Sequence, residues 1–259
     1  MNNTSFPSAL RPFPAAIKQS VTIEKPLWSF EDFYAPVIAI NENLKHHAFR
    51  LRHDVYCREK KFEPEQESQL EFDQYDAYAC HGLLRDSATG NYAGTVRIIT
   101  PTTSDETLPI EDACSDAMSS ATIKPSNFMR KEICEISRLA VPVQYRQGST
   151  KDDRQPDVES EARKMVPTGL YLMGASLAMA VGRQHAFVMM EPRLARAMGI
   201  IGVKFQQIGD VIDYHGMRAP YYINSEMLIS RIRPDFQSMF ARINQSVMNA
   251  VNESYGNHG

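Results

Sequence analysis

The sequence lacks the features that mark membrane, secreted and nucleic-acid-binding proteins. No apolar segment is long enough to span a bilayer, so no stable membrane insertion is expected. Its first residues show no basic stretch followed by an apolar run, and we expect no signal peptide. The net charge is −3, and the basic residues form no long run that would favour a nucleic-acid partner. These absences indicate a soluble enzyme, expected in the cytoplasm.

Patterns for disulfides and metal ions are missing as well. The 4 cysteines include no Cys-x-x-Cys pair and predict free thiols in a reducing compartment. His46 and His47 are neighbours on a predicted helix, where adjacent side chains point in different directions and cannot share a metal ion. We therefore predict no metal site and no bound cofactor.

The spacing of apolar residues predicts a single α/β domain. Residues 1–27 are polar and interrupted by prolines, which favours a loosely ordered arm before a domain over 28–232 and a helix and tail over 233–259. Strands are predicted at 79–85, 92–100, 133–141, 186–190, 203–208, 211–214 and 221–223, and helices at 41–58, 165–181, 193–201 and 236–251. The polar residues 147–164 predict a mobile surface loop. This order indicates a mixed, mostly antiparallel twisted sheet flanked by helices in a three-layer sandwich.

A carboxylate interrupts the apolar strand predicted over 133–141. Side chains alternate along a strand, so Glu135 and Ser137 are expected on one face and Arg138 on the other. Burial raises the pKa of a carboxyl group, which would let Glu135 accept a proton from an amine near neutral pH. The same residue could instead form a structural ion pair with Arg97 or Arg138. The local pattern leaves both interpretations open.

An acidic run lies earlier in the chain, over Glu71–Asp76. Its three carboxylates are interleaved with Phe72 and Tyr75. Charge runs usually face water, which favours a solvated loop. Alternatively, the run forms a pocket for an ammonium group and holds the arginines of the first helix through charge-assisted hydrogen bonds.

Three weaker patterns concern the binding of a donor. The turn over Pro142–Gly148 could direct backbone N–H groups at a phosphate, or it is an ordinary loop. Arg58, Lys60 and Lys61 form a basic patch that could dock an acidic carrier protein. Six methionines could line an acyl channel or fill the core: Met165, Met173, Met179, Met189, Met190 and Met198.

Five separated motifs resemble the acyl-homoserine lactone (autoinducer) synthases in order and spacing. They are Arg52–Tyr56, Phe62, Glu71–Asp76, Val96–Arg97 and Glu135–Arg138, within about residues 44–141. The C-terminal half is more similar to the PEP-CTERM/exosortase-associated acyltransferases and long-chain N-acyl amino acid synthases, through Met190–Arg196, Gly202–Phe205, Tyr214–Gly216 and Pro220–Ile223. These groups share the GNAT fold, so the resemblance implies a GNAT-like sandwich.

The resemblance implies an amide-forming acyltransferase. Its donor would be a thioester of acyl carrier protein or CoA, its acceptor the amine of an amino acid, and acyl carrier protein a partner. The matching residues expected in catalysis are Glu135, as the base, with Ser137 and Arg138. Those expected to bind the acceptor substrate are Arg52, Tyr56, Phe62, Glu71, Asp73, Asp76 and Arg97, and those expected to bind the donor are Leu139, Val141, Arg146 and Gly148.

Two other functions stay open. The first is an autoinducer synthase that uses S-adenosylmethionine and releases a lactone and methylthioadenosine. Tyr56 and Phe62 stand where such synthases usually have Phe and Trp, which favours an amino acid as the acceptor. The second is a GNAT-fold module that binds acyl chains without turnover.

Overall fold

A sheet of eight strands forms the centre of the fold. The computed structural model describes residues 28–146 and 158–256. The strands are β1 (Tyr34–Ile38), β2 (Ala79–Asp86), β3 (Tyr92–Ile99), β4 (Ile133–Ala140), β5 (His185–Met190), β6 (Gln206–Gln207), β7 (Ile212–Asp213) and β8 (Met217–Asn224). Their order is β1-β2-β3-β4-β5-β8-β6, with β7 paired to β8, and every pairing is antiparallel except that of β4 with β5. The predicted mixed, mostly antiparallel sheet is confirmed.

Eight α-helices accompany the sheet in the described part of the chain. They are α1 (Glu42–His53), α2 (Pro109–Cys114), α3 (Val143–Arg146), α4 (Val158–Lys164), α5 (Val166–Ala180), α6 (Pro192–Ile200), α7 (Ser225–Arg231) and α8 (Pro234–Gly256). The side chain of Asn41 begins α1 by accepting a hydrogen bond from the N–H of Leu44, and a π-helical stretch over Asp54–Glu59 continues it. No helix among the described residues is long and apolar enough to cross a bilayer.

The two faces of the sheet pack against different helices, because alternate side chains of a strand point in opposite directions. Leu84 and Ile136 lie in the main core with α5 and α8. Leu83 packs instead with Ala48 of α1 on the other face. Further along that second face, Ile99 packs with residues of α2. The predicted three-layer arrangement follows from these two apolar interfaces.

β4 and β5 stay together over a short distance only. Their parallel pairing comprises Ile133 to Glu135 of β4 and ends with Glu135 beside Phe187. β4 continues to Ala140 and β5 to Met190. The two strands therefore separate beyond Glu135 and leave a gap in the middle of the sheet.

Two predictions of local structure are wrong. Residues 158–164, predicted as part of a mobile loop, form α4, because an ion pair between Glu159 and Arg163 and the burial of Ala162 stabilise a helix in a polar segment. The strand predicted over 203–208 is confined to Gln206–Gln207, since the apolar residues at its ends turn into the core. The predicted arm over 1–27 and the remainder of the predicted loop, 147–157, lie outside the described residues.

Gly202 follows α6 in a conformation that favours glycine. Its φ is +92°, and a Cβ atom there would lie 2.1 Å from the carbonyl oxygen of Arg231. Gly182 also has a positive φ, +78°, but open space where a Cβ atom would lie. We expect Gly202→Ala to destabilise the fold by roughly 1–3 kcal/mol more than Gly182→Ala, because both substitutions strain the backbone and only the first overpacks it. Thermal unfolding measures the difference, and equal melting temperatures would contradict it.

Candidate active site

Glu135 lies at the last paired position of β4 before the gap and is 2% exposed. Its Oε2 accepts a hydrogen bond of 2.8 Å from the N–H of Ile110 in α2. Burial raises the pKa of Glu135 to about 8, and that N–H and the charges of Arg97 and Arg138 oppose the rise only in part. Among the described residues no arginine forms an ion pair with it, so the predicted alternative of a structural ion pair is wrong. The carboxyl group can change its protonation near neutral pH.

The acidic run is folded inward. Arg52 of α1 is fully buried, forms an ion pair with Glu71, and donates two hydrogen bonds of 2.7 and 3.0 Å to Asp76. Burial alone would raise the pKa of Asp76, but the hydrogen bonds and charges of Arg52 and Arg97 hold it well below its usual range. The solvated-loop interpretation is therefore wrong, because buried guanidinium groups hold these carboxylates by charge-assisted hydrogen bonds.

Asp73 joins this network to the sheet. Its carboxylate accepts hydrogen bonds of 2.6 Å from Arg97 of β3 and 3.2 Å from Arg138 of β4. The Nε of Arg97 donates a further hydrogen bond of 3.1 Å to the hydroxyl of Ser137. Three arginines thus face the three carboxylates of the acidic run; we call these six residues the ion-pair cluster: Arg52, Glu71, Asp73, Asp76, Arg97 and Arg138.

Arg138 reaches the ion-pair cluster because of a bulge in β4. The register of β3 with β4 shifts at this point, and Arg138 has a φ of +47°. Its Nε donates a hydrogen bond of 3.1 Å to Glu71. The expectation that Arg138 lies on the face opposite Glu135 is therefore wrong, since one extra residue in a strand reverses the alternation that follows. A left-handed residue of this kind costs about 1–3 kcal/mol and such residues concentrate at functional sites.

Tyr56 and Phe62 form an aromatic wall beside the ion-pair cluster. Their rings stack with 6.4 Å between centroids. The guanidinium group of Arg138 lies 5.7 Å from the ring of Tyr56, and that of Arg218 lies 5.7 Å from the ring of Phe62. The hydroxyl of Tyr56 donates a hydrogen bond of 2.8 Å to the carbonyl of Leu139. The wall therefore connects the cluster, the gap edge of β4 and the start of β8.

Sequence reasoning missed several residues of this site. Glu63 lies 3.5 Å from both Arg138 and His215, measured between side-chain oxygen and nitrogen atoms. His81 of β2 lies beside the ion-pair cluster, and burial lowers its pKa to about 3, which keeps it neutral. The turn signal in Tyr214–Gly216 could have drawn attention to His215. Glu63 and His81 carry no comparable signal.

An apolar cavity lies on the other face of the sheet, beside α5. The empty space in the cavity, counted together with the open solvent at its mouth, is about 480 Å³. It begins near Ile136, directly after the last paired residue of β4, and near Tyr171 of α5. Ala175, Ala178 and Phe205 also line it. Of the six methionines predicted to line a channel or fill the core, Met179 lines this cavity, and the fully buried Met173 belongs to the core.

Of the residues predicted to bind a donor, three lie in the described part of the chain: Leu139, Val141 and Arg146. Leu139 lies on β4 beyond the point where the gap opens and packs against the main core, in which the side chain of Val141 is buried. Gly148 lies outside the described residues. Among the described residues, no group of His, Cys, Asp and Glu is arranged to hold a metal ion, and the four cysteines are free.

The predicted phosphate turn is already engaged by a carboxylate. Arg146 of α3 forms an ion pair with Glu59, and the N–H of Val143 donates a hydrogen bond of 3.1 Å to the same side chain. The prediction that this turn offers free N–H groups is therefore wrong at Val143, because Glu59 accepts its hydrogen bond.

Residues 51–153 match the family model of the acetyltransferase (GNAT) domain. This segment contains the acidic run, the strands β2 to β4 and the buried Glu135. Over this segment, which is less than half of the chain, the sequence is therefore similar to GNAT acetyltransferases. The match confirms the predicted GNAT-like fold and the prediction of an acyltransferase enzyme. No curated protein matches the chain in sequence.

Several solved structures resemble this chain in fold. The acyl-homoserine lactone synthase LasI is 15% identical with a TM-score of 0.53, covering 77% of this chain and 96% of its own. FeeM, an N-acyl amino acid synthase from uncultured soil microbes, is 15% identical with a TM-score of 0.53, covering 77% and 94%. BjaI, a CoA-dependent acyl-homoserine lactone synthase, is 17% identical with a TM-score of 0.57, covering 84% and 98%. At these identities the likeness concerns the fold alone.

Proposed function

We propose that the chain is an N-acyltransferase that moves a medium- or long-chain acyl group from a thioester of acyl carrier protein or CoA to the amine of an amino acid. One arrangement carries this proposal. At the gap between β4 and β5, Ile136 lines the apolar cavity, while Ser137 contacts the ion-pair cluster and Glu135 is buried on that same face. A thioester in the gap would have its acyl chain on one face of the sheet and the attacking amine on the other.

The gap suits the extended arm of a carrier thioester. Beyond Glu135, β4 pairs with β3 but not with β5 in the described structure. One edge of β4 can therefore pair with the amide groups of a pantetheine arm, as an added strand would. The acyl chain would extend along α5 into the cavity and gain stability from apolar burial. Because CoA and acyl carrier protein present the same arm, both fit this proposal.

Docking of a carrier protein would use the basic patch after α1. Lys60 and Lys61 are exposed there, as an acidic partner requires. Arg58 contributes less free charge, because its guanidinium group already lies 3.1 Å from Asp54 and 3.7 Å from Glu65. We therefore assign carrier docking to the two lysines.

The acceptor amine would bind beside the ion-pair cluster. The side chains of Asp73 and Glu63 are 24% and 30% exposed, so an incoming ammonium group can reach them. Glu71 and Asp76 are closed off by Arg52, and we assign these three residues to holding the cluster together. Ser137 and the remaining arginines of the cluster, Arg97 and Arg138, would position Asp73 against the gap.

Glu135 would receive the proton that the amine loses. As the neutral amine nitrogen attacks the thioester carbonyl carbon, the C–N bond forms, the C–S bond breaks, and the sulfur leaves as a thiolate, which takes up a proton from protonated Glu135 or water to become the thiol. The proton passes to Glu135 directly or through a water molecule. A pKa of about 8 suits this role, because a general base works best when its pKa lies near the working pH.

An autoinducer synthase that uses S-adenosylmethionine is the alternative, and the names of LasI and BjaI favour it. The name of FeeM favours the amino acid acceptor instead. The similarity of the C-terminal half to exosortase-associated acyltransferases stays a prediction.

Product analysis tests the proposal. The purified protein is incubated with octanoyl to palmitoyl thioesters of CoA and of acyl carrier protein, together with the standard amino acids or S-adenosylmethionine. We expect N-acyl amino acids by mass spectrometry. Acyl-homoserine lactone with methylthioadenosine would establish the alternative, and tight acyl-thioester binding without any product would indicate a binding module.

The cavity predicts how acyl-chain length is selected. Ala175 lines it on α5, and a phenyl ring at this position would fill part of its volume. We expect Ala175→Phe to lower kcat/KM for palmitoyl donors roughly 10-fold or more, while octanoyl donors lose little. The control is Ala241→Phe on the exposed side of α8. An unchanged chain-length profile in the cavity variant would contradict the assignment.

A further inference from the structure

Arg218 is the arginine of this site that lacks an acidic partner. Arg52, Arg97 and Arg138 are each held by carboxylates of the ion-pair cluster. Arg218 forms no ion pair with any residue that the structure describes, and its buried Nε has no hydrogen-bond partner there. A buried donor without an acceptor is costly, and a guanidinium group is shaped to bind carboxylates. The missing acceptor is therefore expected from a ligand.

The position of Arg218 is at the mouth of the gap. The next residue, Ala219, pairs with Met190, the last residue of β5. The guanidinium group packs over Phe62, whose other neighbours are Tyr56 and His215. Arg218 thus stands across the aromatic wall from the ion-pair cluster.

The surroundings of Arg218 indicate that the anion it binds belongs to the acceptor substrate and not to the acyl donor. Phe62 and His215 lie on the side of the ion-pair cluster, where His215 is 3.5 Å from Glu63. Burial raises the pKa of the Tyr56 hydroxyl in the aromatic wall, and the positive charges of Arg138, Arg52 and Arg218 oppose this rise. An amino acid carries one negative and one positive charge. Arg218 can pair with the first, and the accessible carboxylates of Asp73 and Glu63 can pair with the second.

We infer that Arg218 binds the carboxylate of the acceptor, so that the acceptor is an amino acid bound as a zwitterion. This inference rests on the proposed N-acyltransferase function and assigns a specificity-determining residue to it. The ammonium end would face Asp73 and Glu63 before it loses its proton. Amines without a carboxylate would lose the contact with Arg218.

The test compares each amino acid with its carboxamide in native protein and in Arg218→Met. We expect the substitution to raise KM for the amino acid roughly 10- to 100-fold, the loss of one charged hydrogen bond. KM for the carboxamide and for the acyl donor should change less than about 3-fold. Arg218→Lys keeps the charge but not the planar fork, so its KM for the amino acid should lie between those of native protein and Arg218→Met. Arg242→Met, in an exposed arginine of α8, is the matched control.

Several results would overturn the inference while the proposed function stands. The first is an equal rise in KM for the amino acid and its carboxamide in Arg218→Met. The second is a rise in KM for the acyl donor alone in that variant. The third is a preference of native protein for amines without a carboxylate. If native protein forms no N-acyl product from any of these amines, the proposed function fails and the inference with it. Melting temperatures of the variants show whether a loss reflects unfolding.

Discussion

Replacing Glu135 with glutamine is expected to lower kcat at least about 100-fold, the contribution typical of a general base. Glutamine keeps the size of the side chain and an oxygen that can accept the hydrogen bond from Ile110, but it cannot receive a proton. In native protein the rate should rise with pH up to about 8, where Glu135 becomes ionised. This limb of the pH profile should vanish in Glu135→Gln.

Although Glu135→Gln is expected to lower activity, it is expected to raise the stability of the fold at high pH. The pKa of Glu135 is raised from 4.5 to about 8, so the folded state holds a proton that the unfolded state releases between these values. Native stability from this group is therefore present below pH 4.5 and is lost as the pH rises from there to about 8, by on the order of 5 kcal/mol. Glu135→Gln removes this loss, and we expect the variant to be the more stable protein at pH 9.

Rate and unfolding measurements together separate catalysis from folding. Glu132 is a partly exposed residue just before β4, and Glu132→Gln is the matched control. It should leave the turnover rate and the stability nearly unchanged. A Glu135→Gln protein that turns over at the native rate would remove Glu135 from the mechanism. A Glu135→Gln protein that is inactive and also less stable than native protein at pH 9 would show that burial does not raise the pKa of Glu135.

Replacing Arg52 with methionine is expected to destabilise the fold by about 3–5 kcal/mol. The methionine side chain fills much of the same space, but Glu71 and Asp76 lose the buried charge that compensates theirs. For a chain of this size the melting temperature should fall by roughly 10 °C. The measurement is thermal unfolding near neutral pH.

Arg50→Met is the control for this effect. Arg50 lies on the same helix and is exposed, so its loss should change stability by less than about 0.5 kcal/mol. Equal melting temperatures for the two variants would mean that the ion pairs of Arg52 contribute nothing net. Activity should fall only in Arg52→Met, because Glu71 and Asp76 then lose a common anchor.

The fold was predictable because its elements follow local rules. The hairpin of β2 and β3 and the helix α5 have clear apolar periods and turn signals, and both formed nearly as expected. α4 was not predictable, because its stability depends on a single buried alanine and an ion pair within a polar segment. The strand β6 is short because its apolar neighbours pack inward instead of pairing.

The site was predictable only in part. The motifs brought together Arg52, Asp73, Asp76 and Arg97, which are linked by direct hydrogen bonds. Arg138 was expected on the wrong face, because a bulge depends on strand register and leaves no mark in the sequence. Arg218, at the opposite end of the chain, meets Phe62 only through the order of the sheet.

The pairing of three arginines with three carboxylates separates positions that hold the fold from positions that border the opening. Each buried charge of the ion-pair cluster is compensated from within, so a change at any of the six disturbs the folded protein. Phe62, His215 and Arg218 surround the cluster without compensating its charges. We expect substitutions there to alter what fits the opening and to leave the cluster neutral. We therefore expect the preference for an acceptor to be changeable at these three positions without loss of the fold.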